Sequence, residues 1–325
     1  MSTKTAVILV NFGGPRNINE IGSFLTELLT DVDVIRTHLP RFFERWFFKR
    51  VALKRIDKIA KDYELIGGKS PLFEDTERLA KKLHEKIDFP VMTFHRYLPA
   101  THMQFLDEII ALEAQAFVIL PMYPQFSYST TGSIARFFER NLPNPIVHKM
   151  QWIQSYATYR PYIEAMQNCI QDFLHSRQIE KKEIFLFFSA HGLPQLFVDQ
   201  GDPYQDECQL SYKAIMEAFP EVGSLLAFQS KFGPGEWLRP YTSELSSEPS
   251  LWSEGKKHIV FVPLSFTSDH LETLYEIEHI YLPNIRAKGF QAHRCPALNQ
   301  RVDWIDALIS LVPAAKTINR LLIRT

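Results

Sequence analysis

The sequence predicts an α/β protein made of two similar halves. Short apolar runs rich in Val, Ile and Phe, such as AVILVNF at 6–12 and IFLFFSA at 184–190, alternate with segments of helical periodicity. Uninterrupted apolar runs of this length are typical of strands that are buried on both faces of a parallel sheet. Strands that alternate with helices in this way indicate parallel strands joined by right-handed crossovers.

Each predicted element follows from a local pattern. The predicted strands are apolar runs that end at polar or turn residues, and they lie at 6–12, 91–97, 116–124, 184–190, 224–230 and 258–266. The segments between them show the apolar spacing of amphipathic helices. These predicted helices lie at 20–29, 72–87, 102–113, 161–174, 205–218, 271–280 and 302–322, with Pro313 interrupting the last one.

Two stretches of the chain share one order of elements. In 116–133 a strand is followed by a proline, a Phe-Ser pair and a helix start, and in 258–272 a strand is followed by a proline, a Phe-Thr pair and a helix start. This weak internal duplication predicts an N-terminal half over 1–155 and a C-terminal half over 156–325. The last helix is a candidate for packing back on the first half.

Composition and charge limit the possible classes of function. The chain has 325 residues and a formal net charge of −1, which provides no overall field for nucleic acid. The three cysteines, Cys169, Cys208 and Cys295, include no C-x-x-C pair, and this sparse set indicates reduced thiols in a cytosolic protein. No apolar run is long enough to cross a bilayer. We therefore expect a cytoplasmic protein without a nucleic-acid partner.

Polar residues that follow the predicted strands are the candidate site residues, because doubly wound sheets bind ligands beyond the carboxyl ends of their strands. His191 follows the fourth predicted strand, where a hydrogen-bonded histidine at the rim of the sheet is the alternative interpretation. The sixth predicted strand is followed by Asp269, His270, Glu272 and Glu276. Glu272 and Glu276 are four residues apart and share one face of a helix, either as a solvated face or as a track for protons or cations.

At these positions the sequence resembles the ferrochelatases. In the C-terminal half the resemblance lies in SAHGLP at 189–194, GDPY at 201–204, QSKFGP at 229–234 with Trp237-Leu238, and FTSDHLETLYE at 266–276. In the N-terminal half it lies in NFGGP at 11–15, IGGKSP at 66–71, Arg96-Tyr97 and YPQFS at 123–127. These segments follow one another along nearly the whole chain, so the set is far more specific than any single member.

The resemblance implies a chelatase fold, in which two Rossmann-like halves, each a parallel sheet flanked by helices, enclose a porphyrin cleft. His191 and Glu272 would carry the metal and proton chemistry from opposite sides of this cleft, and Glu276 would continue an acidic track behind Glu272. A neutral histidine can accept a pyrrole proton or bind ferrous iron near pH 7, and the carboxylate can do the other task. The sequence leaves open which face of the porphyrin receives the metal.

The resemblance also implies further site residues. A third carboxylate often follows in relatives at the position of Ile280, so the track is shorter here, or Glu278 or His279 substitutes for it. The residues that match positions near the porphyrin propionates are Arg55, Lys58, Tyr63 and Ser70. The other residues implied to bind porphyrin are Phe12, Arg96, Tyr97, Ser230, Trp237, Phe266, Asp269 and His270.

The activity that the resemblance implies is insertion of Fe²⁺ into a dicarboxylate porphyrin, with release of two protons to give haem. We favour protoporphyrin IX as the substrate, with coproporphyrin III as the alternative. A cobalt or nickel chelatase for a more carboxylated tetrapyrrole and a non-catalytic tetrapyrrole carrier are the other hypotheses. Peripheral binding to the inner membrane surface would suit an apolar porphyrin.

We expect no prosthetic group, with Fe²⁺ as a substrate. Some relatives carry a two-iron two-sulfur cluster, which needs four thiolates when all its ligands are cysteines, whereas this chain has three cysteines. Cys169 matches the position of one cluster ligand, but its partners are absent. We therefore expect no iron–sulfur cluster, and we expect Cys169 to be a small buried apolar residue.

Segment 39–51, LPRFFERWFFKRV, combines aromatic and basic residues. On a helix its four aromatic side chains, Phe42, Phe43, Trp46 and Phe47, would lie on one side and be flanked by Arg41, Arg45, Lys49 and Arg50. This composition is typical of an amphipathic element that seeks a membrane surface. The alternative is a helix packed on the core with solvated arginines.

Overall fold

The computed structural model describes residues 5–36 and 40–317. Its described strands form two parallel four-stranded sheets with the same strand order. In the first sheet the order is β2-β1-β3-β4, with β1 at Thr5–Asn11, β2 at Val91–His95, β3 at Ala116–Pro121 and β4 at Met150–Trp152. In the second it is β6-β5-β7-β8, with β5 at Ile184–His191, β6 at Gly223–Gln229, β7 at His258–Pro263 and β8 at Gln291–Arg294.

Helices flank both sheets. Those in the first half of the chain are α1 Ile21–Leu29, α2 Arg41–Glu64, α3 Leu72–His84, α4 His102–Ala111, α5 Thr131–Asn141 and α6 Asn144–Val147. Those in the second half are α7 Arg160–Ser176, α8 Gln195–Asp199, α9 Tyr204–Met216, α10 Thr242–Leu245, α11 Leu282–Ala287 and α12 Val302–Leu311, with a π-helix at Glu272–Tyr281. Single 3₁₀ turns lie at Ile18–Glu20, Pro99–Thr101, Lys181–Glu183, Pro249–Leu251 and Val312–Ala314.

The central strands are held by burial on both faces. In β5 the residues from Ile184 to Ala190 are all buried, and only His191 at the carboxyl end is partly exposed. Phe187 stacks on Phe261 of β7 at a centroid distance of 4.2 Å. The predicted fold class is therefore confirmed, since uninterrupted apolar runs do form parallel strands with helices on both sides.

Several predicted boundaries are corrected by the structure. The helix predicted over 302–322 ends at Leu311 and passes into a 3₁₀ turn, because Pro313 has no N–H and restricts the residue before it. Residues 318–325 of that prediction lie outside the described part of the chain. The sequence pattern indicated only the start of α5, after a Ser/Thr-rich stretch, and gave no sign of the edge strands β4 and β8, which are too short to show a periodic pattern.

The chain forms two compact units. One comprises the chain up to Tyr123, Ser127–Gln154 and the chain from Leu308, and the other comprises Pro124–Phe126 and Ser155–Ala307. Within the first unit, backbone hydrogen bonds join Trp152 to Lys316, so the end of the described chain contributes to the first unit. The predicted boundary between the two halves, at residues 155 and 156, stays a prediction.

Candidate active site

His191 lies at the carboxyl end of β5. Its Nδ1 is 2.7 Å from the carbonyl oxygen of Gly192. Because a carbonyl oxygen only accepts hydrogen bonds, Nδ1 carries the proton of the neutral ring and Nε2 presents the lone pair. Burial lowers the pKa of His191, while the charge of Glu272 opposes this effect. The imidazole is therefore set up to act as a base or metal ligand near neutral pH.

The main chain around His191 is fixed from several directions. Its N–H donates to Ser265 Oγ at 2.9 Å, and its carbonyl accepts from the hydroxyl of Tyr204 at 2.9 Å. The next N–H, that of Gly192, donates to the carbonyl of Gln229 on β6 at 2.8 Å. A Cβ atom at residue 192 would lie 2.9 Å from that same oxygen, so the close approach of the two chains requires glycine.

Glu272 and His270 form an ion pair at the start of the π-helix that follows β7. His270 Nε2 lies 2.9 Å from Glu272 Oε2, and its Nδ1 lies 3.0 Å from the carbonyl oxygen of Ser268. Both ring nitrogens face acceptors, which only the doubly protonated imidazolium can satisfy. Burial opposes this charge, but the charge of Glu272 and the hydrogen bond to it raise the pKa of His270. His270 is therefore a cation that holds Glu272.

Glu272 is ionised over the whole neutral range. Burial would raise its pKa, but the charge and hydrogen bond of His270, together with His191, lower it to about 2. The side chain of Glu272 is 22% exposed, so a cation can reach it. Glu272 is thus a permanent negative charge close to the neutral imidazole of His191.

Glu276 lies within the same π-helix and has a different protonation behaviour. Its Oε2 accepts hydrogen bonds from Ser230 Oγ at 2.7 Å, Gln229 Nε2 at 3.1 Å and Tyr281 Oη at 3.2 Å. Burial and the charge of Glu272 outweigh these contacts and raise the pKa of Glu276 to about 7. The two carboxylates of the predicted track therefore differ: one is always charged, and the other titrates near neutral pH.

The structure also brings two aromatic side chains, Phe266 and Trp237, to this end of the second sheet. The ring of Phe266 lies 4.6 Å from that of His270 and 6.2 Å from that of His191, measured between centroids. Trp237 pairs through its backbone with Pro194, and a Cβ atom at residue 192 would lie 3.3 Å from its Cε3. Phe266 and Trp237 thus provide apolar surface beside the titratable groups, where the resemblance implied a porphyrin.

Asp269 holds the start of the π-helix in place. Its Oδ1 accepts from Thr273 Oγ1 at 2.8 Å and from Arg294 Nη1 at 2.7 Å. Asn299 clamps the same residue, accepting from its N–H at 2.8 Å and donating to its Oδ2 at 2.9 Å. Contact of Asp269 with porphyrin stays a prediction, and the structure adds a positioning role one residue before His270.

The track behind Glu276 is short. Ile280 is 39% exposed, and Glu278 forms an ion pair with Arg294 at 3.0 Å. His279 is exposed, and its ring stacks on that of Tyr275 at 5.9 Å. Neither Glu278 nor His279 contacts the carboxylate of Glu276 in the described structure.

In the first unit, Phe12, Arg96 and Tyr97 follow the ends of neighbouring strands. The rings of Phe12 and Tyr97 meet at 4.5 Å. The guanidinium of Arg96 contacts Asp31 at 2.8 Å and Glu27 at 3.1 Å, and Tyr97 Oη donates to Asp31 at 2.8 Å. Arg96 lines a cavity of about 390 Å³ in this unit. Its charge is thus already balanced by two carboxylates.

The four predicted propionate anchors lie in two environments. Arg55 and Lys58 are on α2, where Lys58 is exposed and Arg55 is partly buried, and burial lowers the pKa of Arg55. Tyr63 is only 3% exposed and Ser70 only 2%. The N–H of Leu72 lies 3.3 Å from Ser70 Oγ, at the start of α3. The two basic residues are therefore more accessible to a propionate than the two hydroxyl groups.

Residues 41–51 of the amphipathic segment form the first half of α2, whereas Pro40 precedes the helix and Leu39 lies outside the described residues. Its four aromatic side chains are exposed by 79% at Phe42, 59% at Phe43, 51% at Trp46 and 49% at Phe47. Arg50 lies over the ring of Trp46 at 4.0 Å. Within the described residues, no helix has both the length and the apolar character needed to span a membrane.

Sequence reasoning missed the groups that hold these residues. Gln229 ends β6 and reaches both the carbonyl of Glu272 and the carboxylate of Glu276, and its place at a strand end was a usable signal. Asn299 gave no comparable signal, because its partner Asp269 is 30 residues away in the sequence. Tyr204 stands in the GDPY segment, but its contact with the carbonyl of His191 was not predicted. In the described part of the chain, no three His, Cys, Asp or Glu side chains cluster as a metal site.

A family model described as Ferrochelatase matches residues 4–316. The chain belongs to the ferrochelatase family. It is 42% identical to a ferrochelatase of Chlamydia caviae over 316 residues, which cover 97% of this chain and 98% of that protein. It is also 42% identical to a ferrochelatase of Chlamydia pneumoniae over 317 residues, which cover 97% of this chain and 95% of that protein. The predicted activity is confirmed at this level: the chain is a ferrochelatase-type lyase that inserts metal into a porphyrin.

Two solved structures share the fold. One is SirB from Bacillus subtilis with Fe³⁺, with a TM-score of 0.54 and 13% identity over 95% of this chain and 94% of that chain. The other is CbiX, the terminal enzyme of siroheme biosynthesis in denitrifying bacteria. Its TM-score is 0.51 and its identity 10%, over 96% of this chain and 100% of that chain. At these identities the comparison confirms the predicted chelatase fold alone.

Proposed function

We propose that this ferrochelatase inserts Fe²⁺ into a dicarboxylate porphyrin, protoporphyrin IX rather than coproporphyrin III, and releases two protons to give haem. The observation that carries the proposal is the pairing of a neutral imidazole, His191, with an ionised carboxylate, Glu272. His191 ends β5, and Glu272 begins the π-helix that follows the neighbouring strand β7. A base and an anionic metal-attracting group are what metallation requires.

The two residues have complementary tasks. Glu272 attracts the ferrous ion, since its charge persists to about pH 2. Nε2 of His191 accepts a pyrrole proton or serves as the second ligand. A site with one imidazole, one carboxylate and open positions holds ferrous iron weakly enough to release it to the porphyrin nitrogens.

Glu276 would pass the released protons on to solvent. With a pKa of about 7 it can take up and release a proton at neutral pH. The hydroxyls of Ser230 and Tyr281 fix its carboxylate beside the permanent charge of Glu272. The acidic track therefore needs only these two carboxylates.

Arg55 and Lys58 would anchor the propionates of the porphyrin. They are three residues apart on α2, which places them on one face of that helix. Tyr63 and Ser70 would support this region from within the first unit. Charge-assisted contacts of this kind distinguish a dicarboxylate porphyrin from a neutral one.

The decisive experiment is an absorbance assay of metal insertion. Protoporphyrin IX and coproporphyrin III are compared side by side with Fe²⁺, Co²⁺, Ni²⁺ and Zn²⁺. We expect the metallated bands to develop fastest with Fe²⁺ and protoporphyrin IX. Faster conversion of coproporphyrin III would reassign the substrate. A shifted porphyrin spectrum without metallated bands would identify a carrier.

The aromatic face of α2 would contact a membrane surface reversibly. Four large apolar side chains with basic neighbours are exposed there, which is the composition of an interfacial helix. Flotation with liposomes containing anionic lipids tests this, comparing the wild type with a Trp46→Ser/Phe47→Ser variant. We expect binding by the wild type and its loss in the variant. Equal and negligible binding by both proteins would exclude membrane contact.

A further inference from the structure

Two cysteines that are distant in sequence meet inside the second unit. Cys169 is in α7, and Cys295 directly follows β8, 126 residues later. Their Sγ atoms are 4.0 Å apart. A disulfide has a sulfur–sulfur distance of about 2.05 Å, so the two sulfurs need to approach by only about 2 Å.

A surface cavity gives access to Cys169. It has a volume of about 490 Å³ and is lined by Cys169 and by the residues that follow Cys295, namely Pro296, Ala297, Leu298, Asn299, Gln300 and Arg301. Asp172, another lining residue, has a side chain that is 68% exposed, so the cavity opens to solvent. A small oxidant can therefore reach Cys169 although that residue is only 3% exposed.

The two thiols are unequal in reactivity. The hydrogen bond with Cys295 lowers the pKa of Cys169 and is helped by the charge of Arg301, against the effect of burial. The same contact, with burial, raises the pKa of Cys295. The third cysteine, Cys208, is also buried, and burial raises its pKa. Cys169 lines the cavity and Cys295 does not, so an oxidant meets Cys169 first, and Cys295 is the thiol beside it at 4.0 Å.

We propose that Cys169 and Cys295 form a thiol-oxidation site whose co-reactant is a hydroperoxide. The Cys169 thiolate attacks one peroxide oxygen, the O–O bond breaks, and Cys169 becomes a sulfenic acid while the other oxygen leaves as water after protonation. The Cys295 thiol then attacks the sulfur of Cys169, the S–O bond breaks, and the disulfide forms with loss of a second water. Two thiols are oxidised by two electrons, and one hydrogen peroxide is reduced to two waters.

Closure of the disulfide would change the active site through the loop that follows Cys295. That loop carries Asn299, which clamps Asp269 at 2.8 and 2.9 Å immediately before His270 and Glu272. Drawing Cys295 towards α7 displaces this clamp. Since a misplacement of about 1 Å can cost about a hundredfold in rate, we expect the oxidised protein to insert iron at least about tenfold more slowly. This consequence rests on the proposed function, whereas the oxidation site does not.

The site is tested on the full chain with hydrogen peroxide. After treatment, we expect the intact mass to fall by two hydrogen atoms and peptide mapping to find Cys169 joined to Cys295, reversibly with dithiothreitol. In a Cys295→Ser variant the reaction should stop at a sulfenic acid on Cys169 that dimedone labels. A Cys208→Ser variant should behave as the wild type, and melting curves verify that each variant is folded.

Three results would contradict the oxidation site or its effect on activity. If the wild type forms no Cys169–Cys295 disulfide, or if Cys208 is oxidised as readily, the site does not exist. If the disulfide forms but leaves the rate of iron insertion unchanged, the coupling through Asn299 is wrong. Because mass and labelling are measured without porphyrin, failure of the proposed function is distinguishable from failure of the oxidation site.

Discussion

Glutamine in place of Glu276 should remove a pH dependence of stability that the wild type carries. Burial and the neighbouring charge of Glu272 raise the pKa of Glu276 from an ordinary value of 4.5 to about 7. Between these values the folded chain retains a proton that the unfolded chain releases. The free energy of unfolding therefore falls as the pH rises through this interval, because the unfolded state binds fewer protons.

The size of the effect follows from the two pKa values. One pKa unit corresponds to about 1.36 kcal/mol, so ionised Glu276 costs the folded state about 3 kcal/mol above pH 7. The amide oxygen of glutamine can still accept from Ser230 and Tyr281, whose hydroxyls now serve Glu276. The Glu276→Gln variant should therefore gain up to about 3 kcal/mol relative to the wild type between pH 5 and pH 8.

Urea unfolding followed by tryptophan fluorescence at pH 5, 6, 7 and 8 measures this difference. A Glu217→Gln variant serves as the matched control, because it makes the same chemical change at an exposed residue directly after α9. If the difference between wild type and Glu276→Gln is the same at pH 5 and pH 8, the burial argument is refuted. The Glu276→Gln variant should also lose any limb of the pH–rate profile that is centred near pH 7.

Three further predictions concern the site residues. His191→Ala should lower kcat at least about a hundredfold, while porphyrin binding measured by fluorescence and the melting temperature stay near those of the wild type. Glu272→Gln should act similarly, and the double variant should be little worse than either single variant. A folded His191→Ala protein with normal kcat would contradict the assignment. Arg55→Ala should raise the KM for porphyrin more than it lowers kcat, because it removes a charge-assisted contact worth about 1.5–3 kcal/mol. An unchanged KM would argue against a propionate anchor. His270→Ala should raise the pKa of Glu272 from about 2, because the largest favourable charge is lost, and the acid limb of kcat/KM should move to higher pH; an unmoved limb would show that His270 does not hold Glu272.

The fold followed from local patterns because burial leaves a clear record in the sequence. Six of the strands appear as uninterrupted apolar runs, and their positions were predicted to within a few residues. The missed elements carry no such record. The edge strand Gln291–Arg294 has the sequence QAHR, in which only Ala292 is buried, so no hydrophobic pattern distinguishes it from a loop.

The same distinction between what the sequence shows and what only the folded chain shows applies to the candidate site. The sequence alone determined that His191, Glu272 and Glu276 follow strand ends, since strand ends can be located from the apolar runs before them. Only the tertiary structure decided their charges. A carbonyl at Ser268 and the carboxylate of Glu272 make His270 a cation, whereas burial beside Ser230 raises the pKa of Glu276 to about 7.

The same reason explains the cysteines. The sequence determined how many thiols there are and excluded C-x-x-C pairs, and on that basis Cys169 was expected to be a small buried apolar residue. Only the packing of α7 against the loop after β8 brings its sulfur to 4.0 Å from that of Cys295. Protonation and thiol reactivity depend on distances of a few ångströms between residues far apart in the chain, and such distances exist only after the chain has folded.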